Sequence, residues 1–249
     1  MAKIHGKLAS FLFGGSEICF QDANLSEDWE VRDATDSCTS GDGEETTLGR
    51  KTEVFEISGY LKNGGSRISC KAIGFSVGGT AFGKVRNITL DESGVESDAT
   101  DGDTTGNGTE TEIGFVNRQS TIQLLIQDNK AEPARNSNLT VVVTFATGVT
   151  ITGTLRVESF QAAINVKNMV GGTLKGTWQG GITKAGLGTL AVGDSNTVAL
   201  ILKDGTTDKA FTGSAGLTSI NLVGDYNDDL KVTFRFKVNG ELTPTQYAA

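Results

Sequence analysis

The chain has 249 residues, among them 33 glycines, 2 prolines, 12 phenylalanines and a single histidine, and 37% of it is hydrophobic. That is room for one large domain or two smaller ones, and short runs of Gly, Thr, Val and Ile favour strands joined by tight turns over a helix bundle. Thirty acidic against 22 basic side chains give a net charge of -8, which argues against a surface that grips nucleic acid by neutralising phosphates.

At the start, Lys3 and Lys7 precede an apolar stretch, Leu8 to Phe13, that is too short for a secretory core, so this segment is expected to stay on the protein. The longest apolar run, Leu139 to Ala146, is interrupted by threonines and falls far short of the roughly 20 residues that span a bilayer; a soluble protein with no membrane partner is expected. Three cysteines, Cys19, Cys38 and Cys70, show no CxxC spacing, which suggests neither a disulfide framework nor a zinc site and points to assembly in a reducing cytoplasm.

Internal repeats organise the chain. Gly14-Gly15, Asp33-Ala-Thr-Asp36, Gly41-Asp-Gly43, Glu45-Thr46 and Gly49 return 64 to 65 residues later, in the same order, as Gly78-Gly79, Asp98-Ala-Thr-Asp101, Gly106-Asn-Gly108, Glu110-Thr111 and Gly114. A weaker pair lies at an offset of 60, where Thr152-Gly153, Ser159 and Gly180 match Thr212-Gly213, Ser219 and Gly240. The order is therefore front half, front half, back half, back half. Residues 66–190 read as one complete unit inserted into another made of 1–65 and 191–249, although an exchanged pairing of the halves fits as well.

Period-two alternation marks the strands. Ile122, Leu124 and Ile126 alternate with Thr121, Gln123 and Leu125, and Val198, Leu200 and Leu202 with Thr197, Ala199 and Ile201. Val232, Phe234, Phe236 and Val238 alternate with Lys231, Thr233, Arg235 and Lys237, so one face there is buried. Only Asp128 to Asn136 has a composition suited to a helical turn, limited by Pro133. The fold class expected is all-β: two related β-sandwich or barrel-like units with long polar loops and little helix.

Glu27 to Thr46 carries eight acidic residues against Arg32, and Asp91 to Glu112 carries eight against no base, so outside these two segments the chain is net positive. Neither has apolar periodicity, and both read as long loops. They are either solvated loops kept acidic for solubility or arms that dock on the body of a neighbouring copy.

Catalytic patterns are missing. His5, the one histidine, lies near the terminus, away from any Ser or Cys nucleophile pattern. Gly180 to Gly186 has glycines and a lysine in the wrong order for a phosphate cradle and reads as a turn after a strand. Asp101, Asp103, Thr105, Gly106 and Glu112 fit much of a calcium-loop pattern, but the flanks are strand-like and the other copy has Cys38 and Thr47 at matching positions; no metal or cofactor is expected. Glu44-Glu45 sits in a flexible loop unsuited to paired-carboxylate catalysis, so the chain is not read as an enzyme. Trp29 and Trp178 are either a sugar-stacking platform or, singly, core or interface anchors. The sequons at Asn87, Asn107 and Asn138 lack a secretion signal to give them meaning.

The Asp-Ala-Thr-Asp segment, the polar loop, Gly49 and the strand Val54 to Leu61, followed by Val141 to Gly153, Leu155 to Phe160 and Thr173 to Gly180, resemble the bacteriophage tail tube (major tail) protein family. Phe211 to Gly213, Leu217 to Ile220, Val232 to Val238 and Gly240 to Thr243 repeat the back half. The resemblance covers nearly the whole chain and implies two tail tube units in one polypeptide, in a virion tail assembled in the host cytoplasm. Three copies would complete a pseudo-sixfold ring, and rings would stack into the tube of a non-contractile tail, meeting the tape measure protein and phage DNA in the lumen and terminator and tip proteins at the ends. It further implies inter-ring loops, here Asp33, Thr35, Asp36, Gly41, Asp42, Gly43, Glu44 and Glu45 in the first copy and Asp98, Thr100, Asp101, Asp103, Gly106, Gly108, Glu110 and Glu112 in the second. Another virion component, a capsid decoration or tail-tip protein, and a carbohydrate-binding module are the alternatives.

Overall fold

A computed structural model describes residues 9–18, 20–33, 46–63, 65–100, 108–126, 132–164, 170–202 and 208–247. They form fifteen strands and no helix: β1 Ala9–Phe13, β2 Ser16–Ile18, β3 Asp22–Asp33, β4 Thr46–Tyr60, β5 Lys62–Asn63, β6 Ser66–Arg67, β7 Gly74–Val77, β8 Thr80–Asp98, β9 Thr111–Ile126, β10 Asn138–Ala146, β11 Val149–Ile164, β12 Val170–Ala185, β13 Ser195–Leu202, β14 Asp208–Asp225 and β15 Lys231–Tyr247. The fold is all-β, and the strand ladders between these elements are antiparallel.

The pairings form two closed circuits. Within 66–190, β7 pairs β8, β8 pairs β9, β9 pairs β12, β12 pairs β11, β11 pairs β10, and β10 returns to β7. The strands of 1–65 and 191–249 repeat this with β1, the split pair β2 and β3, β4, β15, β14 and β13. The irregularities repeat as well: the bulge at Trp29/Val31 lies 65 residues before that at Gly94/Glu96, and the bulges at Thr152/Thr154 and Val157/Ser159 lie 60 residues before those at Thr212/Ser214 and Leu217/Ser219.

The repeated glycines now have physical reasons. Gly14-Gly15 and Gly78-Gly79 make the hairpins β1–β2 and β7–β8 with φ of 57° and 77°, and 57° and 78°. Two successive positive φ values are what a tight two-residue hairpin turn demands, and other residues resist them. Gly153 and Gly213 leave room for a large neighbour, since a Cβ would stand 3.0 Å from the Trp178 ring and from the Leu242 side chain respectively.

The expected core strands pack as the alternation indicated. Val232, Phe234, Phe236 and Val238 are all buried, and Phe236 stacks on Phe11 and Phe13 with ring centroids 5.1 and 4.9 Å apart. Phe75 and Phe82 supply the corresponding aromatic contact at 5.9 Å in the inserted unit, and one continuous core joins the two.

Three expectations need correction. The described part of the helical segment, 132–136, is a turn: Asn136 has φ 64°, and its N–H donates 2.8 Å to Val157 O instead of to a carbonyl of its own turn. Gly180 to Gly186 is not a simple turn, because β12 continues through a bulge to Ala185, with Thr183 opposite Thr152. The two acidic segments are largely strand at their bases, Glu27 to Asp33 and Asp91 to Asp98, because ladder hydrogen bonds form whatever the side chains when both faces carry polar groups.

Cys70 is fully buried beside Gly224, and burial, followed by the nearby carboxylate of Asp229, pushes its thiol from 9.0 up to about 12. An acid whose folded pKa is raised keeps its proton where the unfolded chain loses it, so stability falls as pH rises from about 9 to about 12. Urea unfolding should show this loss, at most about 1.4 kcal/mol per pH unit, and Cys70→Ala should remove that part of the slope.

Candidate assembly interface

One further ladder joins the two circuits. Ser219 to Asp225 of β14 pairs with Asn87 to Ser93 of β8. This creates an unbroken run β3-β4-β15-β14-β8-β9-β12-β11 through both units.

One face of this run belongs to the core. Ala23, Ile57, Phe234, Ile220, Glu92 and Arg118 form a cross-strand row on it. On the other face the row Asn24, Glu56, Arg235, Ser219, Ser93, Asn117 is polar and at least partly exposed, with opposite charges adjacent at Glu56 and Arg235. There Asn87 Nδ2 donates to Asp225 Oδ2 at 3.4 Å, and Asn221 donates to Asp91.

Glu92, 2% exposed, is the buried charge of the junction. Its oxygens accept from Arg118 Nε at 3.0 Å and Lys184 Nζ at 2.7 Å. Its counterpart one repeat earlier is Glu27, whose carboxylate lies 2.8 Å from Lys51 Nζ; the same ammonium reaches buried Glu53, 2.8 Å away. Lys51, and then the hydrogen bond shared with Glu53, hold the Glu27 carboxyl below its usual range. Burial pulls the Lys51 ammonium down, but the bonds to Glu27 and Glu53 outweigh it and raise it. Glu27 and Glu92, two of the acids assigned to the arms, are thus neutralised inside the strands.

The base of the second arm lies on the first unit. Glu96 meets Lys237 Nζ at 2.9 Å and Asp98 meets Arg50 at 3.4 Å. Thr111 N–H donates to Asn239 Oδ1 at 3.2 Å, and Gly240 N–H to Thr109 O at 3.1 Å. The approach at Gly108 is so close that a Cβ there would stand 1.9 Å from Gly240 O, which requires glycine. The Thr100 hydroxyl and N–H hold the Asp98 carboxyl below its usual range, and Thr100 Oγ1 accepts from Glu110 N–H at 2.9 Å. Glu112, exposed, pairs across the ladder with Ser97.

Of the first arm, Asp33 ends β3 opposite Thr46. Thr35, Asp36, Gly41, Asp42, Gly43, Glu44, Glu45, Asp101, Asp103 and Gly106 lie outside the described residues, as does most of the calcium-like pattern. Among the described residues no three His, Cys, Asp or Glu side chains gather as a metal site, and no helix is long and apolar enough to cross a membrane. Trp178 is buried, donating 2.7 Å to Ser120 Oγ, while Trp29 is 38% exposed beside Lys51, so the two form no common platform.

The two strand edges that correspond by repeat to this ladder have no ladder partner among the described residues: β3 over Asp22 to Asp28 and β11 over Ser159 to Ile164. They are the repeat equivalents of the joined edges Asn87 to Ser93 and Ser219 to Gly224. Their exposure differs accordingly: Ile88 and Leu90 are buried, whereas Ala23 is exposed and Leu25 half-buried. Sequence reading missed Glu92, Arg118 and Lys184, although glutamate at both 27 and 92, one repeat apart, was a visible signal. Compared with protein-family models and with the sequences of curated proteins, the chain matches none.

Replacing Glu92 by Gln leaves Arg118 and Lys184 without their anion. It should lower unfolding free energy by about 3 kcal/mol, read from urea denaturation.

Proposed function

We propose that the chain is a structural, self-assembling subunit, the major tail tube protein of a long-tailed phage, built from two tail tube units: 66–190, and 1–65 with 191–249. The observation that carries this reading is that the free edges of β3 and β11 are the repeat equivalents of the two edges already paired in the β14–β8 ladder. Applying the same register between copies sets Phe160 opposite Glu27, Ala162 opposite Leu25 and Ile164 opposite Ala23. Such a contact uses different surfaces on the two partners, so it propagates head to tail and either closes into a ring or runs on as a filament.

Three copies would present six units around the ring. With eight strands from each, the closed sheet exceeds the roughly 16–18 strands at which a barrel encloses an aqueous channel. The core face of the run is covered by the rest of each unit, which leaves the polar face for the lumen. A wall of hydroxyl, amide and paired charges lets DNA and the tape measure protein pass without gripping phosphates. Stacking of rings, through the segments 34–45 and 101–107, and end contacts with terminator and tip proteins belong to the same reading, as does a location in the virion tail.

Electron microscopy of the purified protein should show rings or tubes with six-unit symmetry and a ring mass of three chains. A lone monomer at high concentration would overturn the reading. Ala162→Asp adds a charge to a side chain exposed in the single chain but set against Leu25 in the ring. It should leave the melting temperature of the monomer unchanged and weaken association more than about a hundredfold, the effect of several kcal/mol for a buried unpaired charge. Sedimentation velocity measures both species.

A further inference from the structure

Resting on that ring reading, we infer that the surface around Phe115 and Gly180 of the inserted unit is a docking site for a second copy, and that it receives the base of the first arm, at Val31 and Leu48. The inference comes from the contact already made inside the chain. There the base of the second arm, Glu96, Asp98 and Thr111, sits on Lys237, Arg50, Asn239 and Gly240. Shifting both partners by their repeat offsets gives Val31, Asp33 and Thr46 on the arm side, and Thr177, Phe115, Gln179 and Gly180 on the receiving side.

Gly180 O accepts from Arg118 at 3.5 Å, and a Cβ on Gly180 would meet nothing within 4 Å, so among the described residues no second backbone lies against Gly180 as Gly108 lies against Gly240. Both Gly180 and Gly240 have positive φ, 70° and 82°, so the backbone shape that admits the arm is present in both units. Gln179 is exposed where Asn239 accepts the N–H of Thr111.

The chemistry at the site also points to a partner. Phe115 is 88% exposed, Val31 64% and Leu48 66%, and these three are among the few large apolar side chains left in solvent among the described residues. Isolated exposed apolar residues need no explanation, but residues on two surfaces that the repeat brings together form one complementary patch. Inside the chain the same positions carry Arg50 and Glu96, which bond to Asp98 and Lys237. By the same offsets Phe115 takes the place of Arg50 and faces Asp33, and Val31 takes the place of Glu96 and faces Thr177, so neither ion pair recurs between copies and the apolar side chains lie beside one another in the same contact. The occupant is therefore a second copy of this chain, beside the first in one ring and not in the next ring along the tube.

The test places a photoreactive benzoyl-phenylalanine at 115 in protein mixed from isotopically light and heavy preparations. Irradiation of assembled protein should give adducts between light and heavy chains that map to 31–33 or 46–48. Phe115→Lys should keep the monomer's melting temperature and lower ring yield at least tenfold. Rings that form normally but give adducts only elsewhere, or a Phe115→Lys protein that assembles like the wild type, would overturn the docking site and leave the ring standing. If wild-type protein forms no rings and gives no adducts between chains, the ring reading falls and this inference falls with it.

Discussion

A strand inside a sheet has two edges, and every N–H and C=O along each must find a partner or stay in water. The architecture follows from how the long strands meet that demand. The first half of β14 uses β13 and its second half uses β8, while β15 covers its other side throughout. β11 is built the same way, paired by β10 up to Arg156 and by β12 along its length, but nothing described takes the place of β8 beyond it. Duplication has thus produced four equivalent edges, of which one pair is satisfied within the molecule.

The electrostatics of the two edges fit the same pattern. At the filled junction Glu92 is buried with two cations beside it. At the free edge Glu27 is partly exposed and already shares Lys51 with Glu53. A carboxylate with a bonded ammonium can be covered by another strand with far less penalty than a bare one, because the charge is compensated before water leaves. The free edge therefore carries a compensated charge in the single chain without becoming hostile to a partner strand.

The sequence made the duplication legible because its markers are backbone requirements: glycine pairs at positive φ in hairpins, and glycines that face Trp178 and Leu242. Alternation likewise exposed the core strand from Val232 to Val238, since one buried face imposes period two. The arms were misread for the same physical reason. In Glu27 to Asp33 and Asp91 to Asp98 much of the chain has polar groups on both faces, so the ladder forms without leaving an apolar period to read. The β14–β8 ladder was invisible as well, because which edges meet is decided by closure of the two circuits and by packing of the shared core, not by any local signal.

Why the proposed contact between copies should differ in chemistry from the one inside the chain follows from the tether. Inside one chain the arm base and its receiving surface are held at high effective concentration, so the contact needs orientation more than strength, and Lys237–Glu96 and Arg50–Asp98 supply it as exposed ion pairs worth little each. Between chains no tether exists, and association must offset lost translational and rotational freedom. Surface ion pairs weaken with salt, whereas burying the apolar surface of Phe115, Val31 and Leu48 does not. Substitution of apolar for charged side chains at the equivalent site is what a contact forming between free molecules requires.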